Sequence, residues 1–250
     1  MHLEPPRSLE STAADLALQV YLLGTVEFEA ALALQRRLVY QVSGDRNSAA
    51  LILCEHPPLI SVGRQGSRTH ILCSPEELCA RRWPVRWVNR GGGCWLHGPG
   101  QLAIYPILAL DRRGMSLQTY LERLQKTMIA ALGEFTVEAK TRPGHCEVWV
   151  GTRPIAGIGV AVLDWVSYFG AALNLSPDLE PFRRVRGAGE KAGPMTSLER
   201  ERRGPVRPTL VRERLVEHFA AHFDFSRLAL FFDHPSLCRK APADAVAASS

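Results

Sequence analysis

A glycine-rich segment between two apolar stretches places the strongest limit on how this chain can fold. The segment NRGGGCWLHGPGQLAIYP covers 89–106, with glycines at positions 91, 92, 93, 98 and 100. Glycine permits positive φ angles and close approach between backbones, and N–H groups in such a loop can surround a carboxylate, phosphate or carbonyl oxygen. The spacing matches neither GxGxxG nor a P-loop, so composition alone leaves two alternatives, a ligand site and a tight loop without function.

Predicted strands follow one another in runs, and this arrangement indicates the fold class. Apolar segments typical of strands cover 16–24, 49–56, 85–89, 101–108, 146–150, 154–163 and 165–175. Amphipathic spacing predicts helices over 26–43, 116–135 and 208–223. Because the strands cluster instead of alternating strictly with helices, we predict an α+β fold in which mixed sheets pack with helices.

The length of 250 residues is ordinary for one α+β domain. We predict a flexible N-terminus over 1–14, a single domain over 15–228 and a C-terminal extension over 229–250 whose end is disordered. No apolar run approaches the roughly 18 residues of a membrane span, and the N-terminal segment lacks the basic-then-apolar pattern of an export signal. We therefore expect a cytoplasmic protein that does not bind membranes.

Cysteine spacing argues against a metal site and against a disulfide framework. The six cysteines lie at positions 54, 73, 79, 94, 146 and 238, and no two have CxxC spacing. In a cytosolic chain of this length such cysteines are most simply free or buried thiols. We expect no metal and no cofactor.

Positive charge is concentrated in arginine clusters. The formal net charge is +5, and arginines cluster at 81–82, 183–186 and 200–203. A solvated basic face is one interpretation, and a docking surface for an acidic partner is the other. Aromatic residues do not interleave with the arginines as in nucleic-acid-binding proteins, so we expect an acidic carrier protein and no nucleic acid.

The glycine segment resembles the motif of the lipoyl(octanoyl) transferases, which is approximately RGG, two variable residues, Thr, an aromatic residue and HGPGQ. Here RGG at 90–92 and HGPGQ at 97–101 match, whereas Trp95 and Leu96 replace the Thr-aromatic pair. Further segments resembling the family are LILCEHPPLISVGRQGSRTHIL (51–72), VWVGTRPIAGIGVAV (148–162, similar to VWV…KIAAIGV), FGAALNL (169–175, with Phe169 for a family His) and MTSL (195–198). The similarity spans roughly residues 16–225, and five motifs in the family's order are not a chance match.

The resemblance implies a biotin/lipoate-protein ligase-like catalytic domain. Family members move an octanoyl chain from acyl carrier protein to a lysine of a lipoyl domain, so it also implies octanoyl-acyl carrier protein and the lipoyl domains of 2-oxoacid dehydrogenases or glycine cleavage H protein as partners. An elongated cleft would hold the acyl chain. The implied substrate-binding residues are Arg90, Gly91, Gly92, Gly93, Cys94, Trp95, Leu96, His97, Gly157, Ile158, Gly159, Gly170, Ala171 and Ala172.

Both catalytic positions of the family are replaced. Family members form a thioester on a cysteine whose pKa is lowered by a lysine, and the corresponding positions here are Ala188 and Pro154. Lys191 is a candidate substitute, or else an exposed loop lysine. Cys94 is a candidate nucleophile, or else a small packing residue. His97 could hydrogen-bond the substrate, or only order the loop.

Three functional hypotheses remain open. The first is octanoyl transfer, by direct attack of the recipient lysine on a carbonyl held by the glycine loop. The second is a non-catalytic relative that binds an acyl chain or a lipoyl domain. The third, an ATP-dependent lipoate ligase, is the weakest because ligases depend on the same missing lysine and their loops lack HGPGQ.

Overall fold

A seven-stranded mixed sheet forms the centre of the molecule. The computed structural model describes residues 17–187 and 194–237. Within them, the strands are β1 (Ala17–Thr25), β2 (Ala49–Glu55), β3 (Leu59–Val62), β4 (Val85–Trp87), β5 (Cys94–His97), β6 (Gln101–Leu108), β7 (Val148–Val150), β8 (Arg153–Leu163), β9 (Val166–Asn174) and β10 (Arg227–Phe231). The large sheet has the order β10-β1-β2-β6-β9-β8-β7. Its first three strands are parallel, and β6 to β7 continue it with antiparallel pairing.

Helices cover both faces of this sheet. They are α1 (Phe28–Gly44), α2 (Pro75–Ala80), α3 (Leu117–Gly133), α4 (Leu198–Arg202) and α5 (Pro208–His222). The apolar side of α1, spaced at three and four residues, packs on one face through Ala31, Leu34, Leu38 and Val42. On the other face α3 and α5 pack together, and Tyr120, Phe219 and Phe223 are fully buried between them and the sheet.

A second sheet of three short strands, in the order β4-β3-β5, lies beside the large one. Its own small core contains Ile60, Val62, Leu96, Phe182 and Val185. Because side chains alternate along a strand, β5 divides its residues between two environments. Cys94 and Leu96 belong to this small core, whereas Trp95 and His97 face the large sheet.

The predicted elements agree closely with the structure, and the α+β class is confirmed. The three long helices and the seven predicted strands occur with shifts of one or two residues at most ends. The strands β3, β5 and β10 and the short helices α2 and α4 were not predicted. Since β10 pairs with β1 over Arg227–Phe231, the predicted domain end at residue 228 falls inside a strand of the large sheet.

Gly170 is required by packing within the sheet. A Cβ at this position would lie 2.1 Å from the carbonyl oxygen of Ile104 and 2.8 Å from Cδ of Pro106. The backbone of β6 cannot move away without breaking its pairing with β9.

We expect Gly170→Ala to lower the free energy of unfolding by about 2 kcal/mol or more, because overpacking a core typically costs roughly 1–3 kcal/mol. Urea unfolding at neutral pH measures this change. Gly24→Ala is the matched control, since a Cβ at Gly24 would meet no atom within 4 Å. Equal stabilities of the two variants would contradict this packing role.

Candidate functional site

A cavity of about 140 Å³ lies between the two sheets. Its walls come from β5, from the first half of β8 and from the segments that precede and follow residues 188–193. The lining residues are Cys94, Trp95, Leu96, Gln101, Glu147, Trp149, Thr152, Pro154, Gly157, Ala172, Phe182, Val185, Gly187, Pro194 and Met195. Most of them are apolar, and Glu147 and Thr152 place polar groups at the more exposed end. The arrangement suits a ligand with an apolar body and a polar end.

Trp95 lies directly over two glycines of β8. A Cβ on Gly157 would be 3.2 Å from Cζ2 of the indole, and a Cβ on Gly159 would be 3.1 Å from its Cη2. A Cβ on Gly159 would also be 2.5 Å from the carbonyl oxygen of Gly91. The absence of side chains at these two positions therefore allows the small sheet to approach β8.

Arg90 is buried beneath Trp95, with 2% of its surface exposed. Its guanidinium carbon lies 3.9 Å from the indole centroid. One guanidinium nitrogen donates to the carbonyl oxygen of Ser61 at 2.9 Å and to its hydroxyl at 2.7 Å, and another donates to the carbonyl oxygen of Gly91 at 2.9 Å. Burial lowers the pKa of Arg90 to about 9. Neutral acceptors and an aromatic face thus hold this cation in place.

The glycine loop fastens the small sheet to β8. The N–H of Gly91 donates to the carbonyl oxygen of Val160 at 2.9 Å. Carbonyl oxygens of Arg90, Gly92 and Gly93 accept bonds from the backbone N–H groups of residues 63–65. The loop therefore uses much of its backbone hydrogen-bonding capacity inside the protein.

Two buried histidines lie behind Trp95. His56 contacts the carbonyl oxygen of Val26 at 2.7 Å through Nδ1 and the hydroxyl of Tyr105 at 2.8 Å through Nε2. Since a carbonyl only accepts, Nδ1 carries the proton and Tyr105 donates to Nε2. Nε2 of His97 lies 2.8 Å from the hydroxyl of Ser61. Burial lowers the pKa of His56 to about 4. Burial also lowers the pKa of His97, and the neighbouring His56 and Arg90 contribute in the same direction.

Cys94 has the environment of a packing residue. Its side chain is buried, and its sulfur donates to the carbonyl oxygen of Ser67 at 3.5 Å. Burial raises the pKa of the thiol. A raised pKa reduces the thiolate fraction at neutral pH, which disfavours Cys94 as a nucleophile.

Pro154, which the sequence resemblance aligns with the family lysine, lines the cavity. The neighbouring cation, Arg153, pairs with Glu201 at 2.7 Å, and Glu201 also accepts from the hydroxyl of Thr196. The positive charge of Arg153 is therefore already paired with a carboxylate. The predicted positions Ala188 and Lys191 lie outside the described residues.

Both segments that flank residues 188–193 are attached to the body of the protein. On the N-terminal side, the N–H of Arg186 donates to the carbonyl oxygen of His70, and the carbonyl oxygen of Arg184 accepts from the N–H of Leu72. On the C-terminal side, the N–H of Thr196 donates to the carbonyl oxygen of Pro154 at 3.0 Å. The carbonyl oxygen of Thr196 accepts from the side chain of Asn174 at 3.1 Å.

The structure brings together only part of the predicted substrate-binding set. Cys94, Trp95, Leu96, Gly157 and Ala172 line the cavity. The positions Arg90, Gly91, Gly92, Gly93, His97, Ile158, Gly159, Gly170 and Ala171 lie outside its lining.

Strand alternation and internal hydrogen bonding explain which of the predicted residues line the cavity and which do not. Ile158 and Ala171 are register partners that face the core under α3 and α5, on the opposite side of the sheet. Gly159 is covered by Trp95, and Gly170 abuts the backbone of β6. Arg90, His97 and the three loop glycines join the two sheets behind the cavity wall.

Several lining residues were missed by the sequence analysis. Trp149 lies in the predicted strand over 146–150, and its position in that strand is the only sequence signal that could have indicated it. Phe182 lies in a short 3-10 helix, Pro181–Arg184, and Val185 and Met195 lie in segments outside the helices and strands. The positions of all three depend on long-range contacts. Glu147 precedes β7 and had no local pattern to mark it.

Comparison with known proteins identifies the family. Residues 27–220 match the family described as "Lipoyl protein ligase A/B catalytic domain". The chain belongs to this family. Octanoyltransferase from Geotalea uraniireducens is 38% identical over 202 residues, which cover 81% of this chain and 91% of that protein. Octanoyltransferase from Geobacter sp. (strain M21) is 42% identical over 178 residues, which cover 71% and 83%.

A solved structure shows the same fold. The crystal structure of lipoate-protein ligase A bound with ATP superposes with a TM-score of 0.71 at 15% identity, covering 87% of this chain and 88% of that one. The expected lipoate-ligase-like fold is thereby confirmed. Over 17–187 and 194–237, no group of His, Cys, Asp and Glu side chains could hold a metal ion, and no helix there is long and apolar enough to cross a membrane.

The buried histidines make the stability of this family member depend on pH. The folded-state pKa of His56 is about 4, below the ordinary value of about 6.5 in an unfolded chain. Between these values the unfolded state binds more protons, so stability falls as the pH drops from 6.5 and levels off near pH 4. His97 contributes in the same direction.

We expect His56→Gln to reduce the pH dependence of the unfolding free energy by up to about 1.4 kcal/mol per pH unit between pH 6 and 4.5. Urea unfolding at several pH values measures the slope. His145→Gln, which changes an exposed histidine, should leave it unchanged. An unaltered slope in His56→Gln would show that this imidazole titrates normally.

Proposed function

We propose that this protein transfers an octanoyl group from acyl carrier protein to a lysine of a lipoyl domain, in the cytoplasm. The observation that carries the proposal is the largely apolar cavity between the two sheets, in a chain related to octanoyltransferases over most of its length. Each buried CH₂ contributes about 0.8 kcal/mol, so an octanoyl tail gains several kcal/mol there. The cytoplasm suits a chain with exposed free thiols at Cys79 and Cys146.

Transfer proceeds in one step, without an acyl-enzyme. The amine of the recipient lysine attacks the thioester carbonyl, the C–S bond breaks, and an amide forms. The amine proton leaves with the thiolate of the carrier, so atoms and charge balance. Pro154 at the lysine position and the raised pKa of Cys94 support this route. The contribution of the protein is then to hold both reactants in place.

Polar groups at the open end of the cavity suit the recipient lysine. The carboxylate of Glu147, which lies 3.5 Å from Nδ1 of His145, attracts the ammonium form of this lysine. The ammonium loses its extra proton to solvent, and the neutral amine then attacks. Because the N–H of Gly91 is already bonded to Val160 and Gly92 and Gly93 lie outside the cavity lining, we do not expect the glycine loop to donate to the carbonyl oxygen. Lipoyl domains of 2-oxoacid dehydrogenases and the glycine cleavage H protein are the proposed recipients.

The direct test mixes the protein with octanoyl-acyl carrier protein and an apo lipoyl domain and weighs each protein by mass spectrometry. We expect one octanoyl group on the lipoyl domain, none without the protein, and no octanoyl group on the protein itself. Cys94→Ala should retain at least about half of the rate, since its thiol is buried and not ionised.

Other outcomes of this experiment are equally informative. Loss of transfer in Cys94→Ala, with an octanoyl adduct on the native chain, would establish a relocated nucleophile and overturn the one-step route. Binding of the carrier without any transfer would identify a non-catalytic acyl-binding relative. Transfer of free octanoate or lipoate that requires ATP would instead identify a ligase.

A basic surface beside the cavity supports docking of the acidic carrier. Arg183 and Arg186 are exposed and flank Phe182 and Val185, two residues of the cavity lining. Arginine clusters next to a binding cavity raise the association rate of an acidic partner, and salt screens this effect.

We expect Arg183→Glu with Arg186→Glu to raise the KM for octanoyl-acyl carrier protein about tenfold at low salt and to leave kcat nearly unchanged. The increase should shrink in ~0.5 M salt, where the Debye length is short. Arg36→Glu with Arg214→Glu is the control with the same change in charge, placed on α1 and α5. An equal effect of both pairs would assign the change to net charge and remove this surface from the docking role.

A further inference from the structure

Trp95 separates two spaces inside the protein. On one side it lines the cavity of about 140 Å³. On the other side it borders a void of about 10 Å³, whose lining also includes Phe28, His97, Tyr105 and Phe169. The indole is therefore a partition between the cavity and a space behind it.

Along β8, the indole lies at the end of the cavity opposite its exposed opening. Pro154, Glu147 and Thr152 lie at the more exposed end. Gly157, which the indole covers, is three residues further along the same strand. At about 3.3 Å per residue, the two ends are roughly 10 Å apart along β8, a length that suits a medium-length alkyl chain.

Trp95 is held rigidly in this position. Arg90 stacks on one side of the indole at 3.9 Å, and the backbone of β8 at Gly157 and Gly159 lies against its edge. The guanidinium is itself fixed by three hydrogen bonds to Ser61 and Gly91. A bulky side chain that cannot rotate away forms a fixed limit to the depth of the cavity.

The space behind the indole has a mainly apolar lining. Arg90, His97 and Tyr105 border it but expose almost no polar surface to it, and Nδ1 of His97 has no hydrogen-bond partner among the described residues. Removing Trp95 would open a path from the cavity into this space and make room for a longer alkyl chain. The indole thus both ends the cavity and shields the groups behind it.

We propose that Trp95 sets the longest acyl chain that this protein accepts, with Gly157 as the position that makes room for the indole. This inference rests on the proposed acyl-binding function. It predicts that each added methylene strengthens binding about fourfold until the chain end meets the indole, and that binding does not improve beyond that length.

The test measures binding of hexanoate, octanoate, decanoate and dodecanoate to the full chain by isothermal titration calorimetry. For the native protein we expect affinity to rise to octanoate and then to level off or fall. For Trp95→Thr, the affinity should keep rising to decanoate or dodecanoate, and it should exceed the affinity for octanoate by at least about tenfold. Trp95→Phe should give an intermediate limit, and it also serves if the threonine variant does not fold.

Gly157→Ala provides the complementary change. Its Cβ would lie 3.2 Å from the indole, which would push the ring into the cavity and weaken octanoate binding several-fold relative to hexanoate. The double variant Trp95→Thr with Gly157→Ala should regain octanoate binding. Trp87→Thr, on an exposed tryptophan of β4, is the matched control and should keep the native profile.

The outcomes separate this inference from the proposed function. If the native protein and Trp95→Thr show the same chain-length limit, Trp95 does not set it, and the acyl-binding function stands. If the native protein binds none of the four fatty acids while octanoyl-acyl carrier protein is also not bound, the proposed function itself fails.

Discussion

The rest of the site depends on one contact, the stacking of Arg90 on Trp95, whose indole covers two glycines of β8. It joins the three-stranded sheet to the seven-stranded one and so creates the space between them. A buried cation without a carboxylate is costly unless its donors are satisfied. Here Ser61 and the glycine loop supply the acceptors. The loop glycines therefore serve the assembly of the site more than direct contact with a ligand.

Much of the fold could be predicted from the sequence because its elements are long and strongly patterned. The alternation of β8 and β9 and the helical spacing of α1 are local properties that survive without tertiary information. The short strands β3 and β5 could not be predicted, since Leu59–Val62 and Cys94–His97 become strands by pairing within the small sheet. The strand β10 could not be predicted either, because its exposed apolar residues show no helical or strand periodicity and form a strand by pairing with β1.

The motifs indicated two of the strands that border the cavity, but not which of their residues line it. Motifs placed β5 and β8 at the site, yet they do not state which face of a strand points into the cavity. Ile158 lies between two glycines of one motif and points to the opposite core. Phe182, in a short 3-10 helix, and Met195 line the cavity from the two sides of residues 188–193. No hydrophobic periodicity in the sequence marks either position. Sequence similarity therefore indicates which strands border the cavity, whereas the structure is needed to see which side chains point into it.

The attachment of the chain on both sides of residues 188–193 has a consequence for how this protein could diverge from its relatives. Arg186 is bonded to His70, and Thr196 is bonded to Pro154 and Asn174, so the chain is fixed to the body of the protein at both of these residues. Loops with anchored ends tolerate exchange of their residues better than the framework does. The sequence resemblance aligns the family's catalytic cysteine with Ala188, so it implies that a reactive side chain was lost between these two attachments while the surrounding architecture persisted. The history of the chemistry is then separate from the history of the fold.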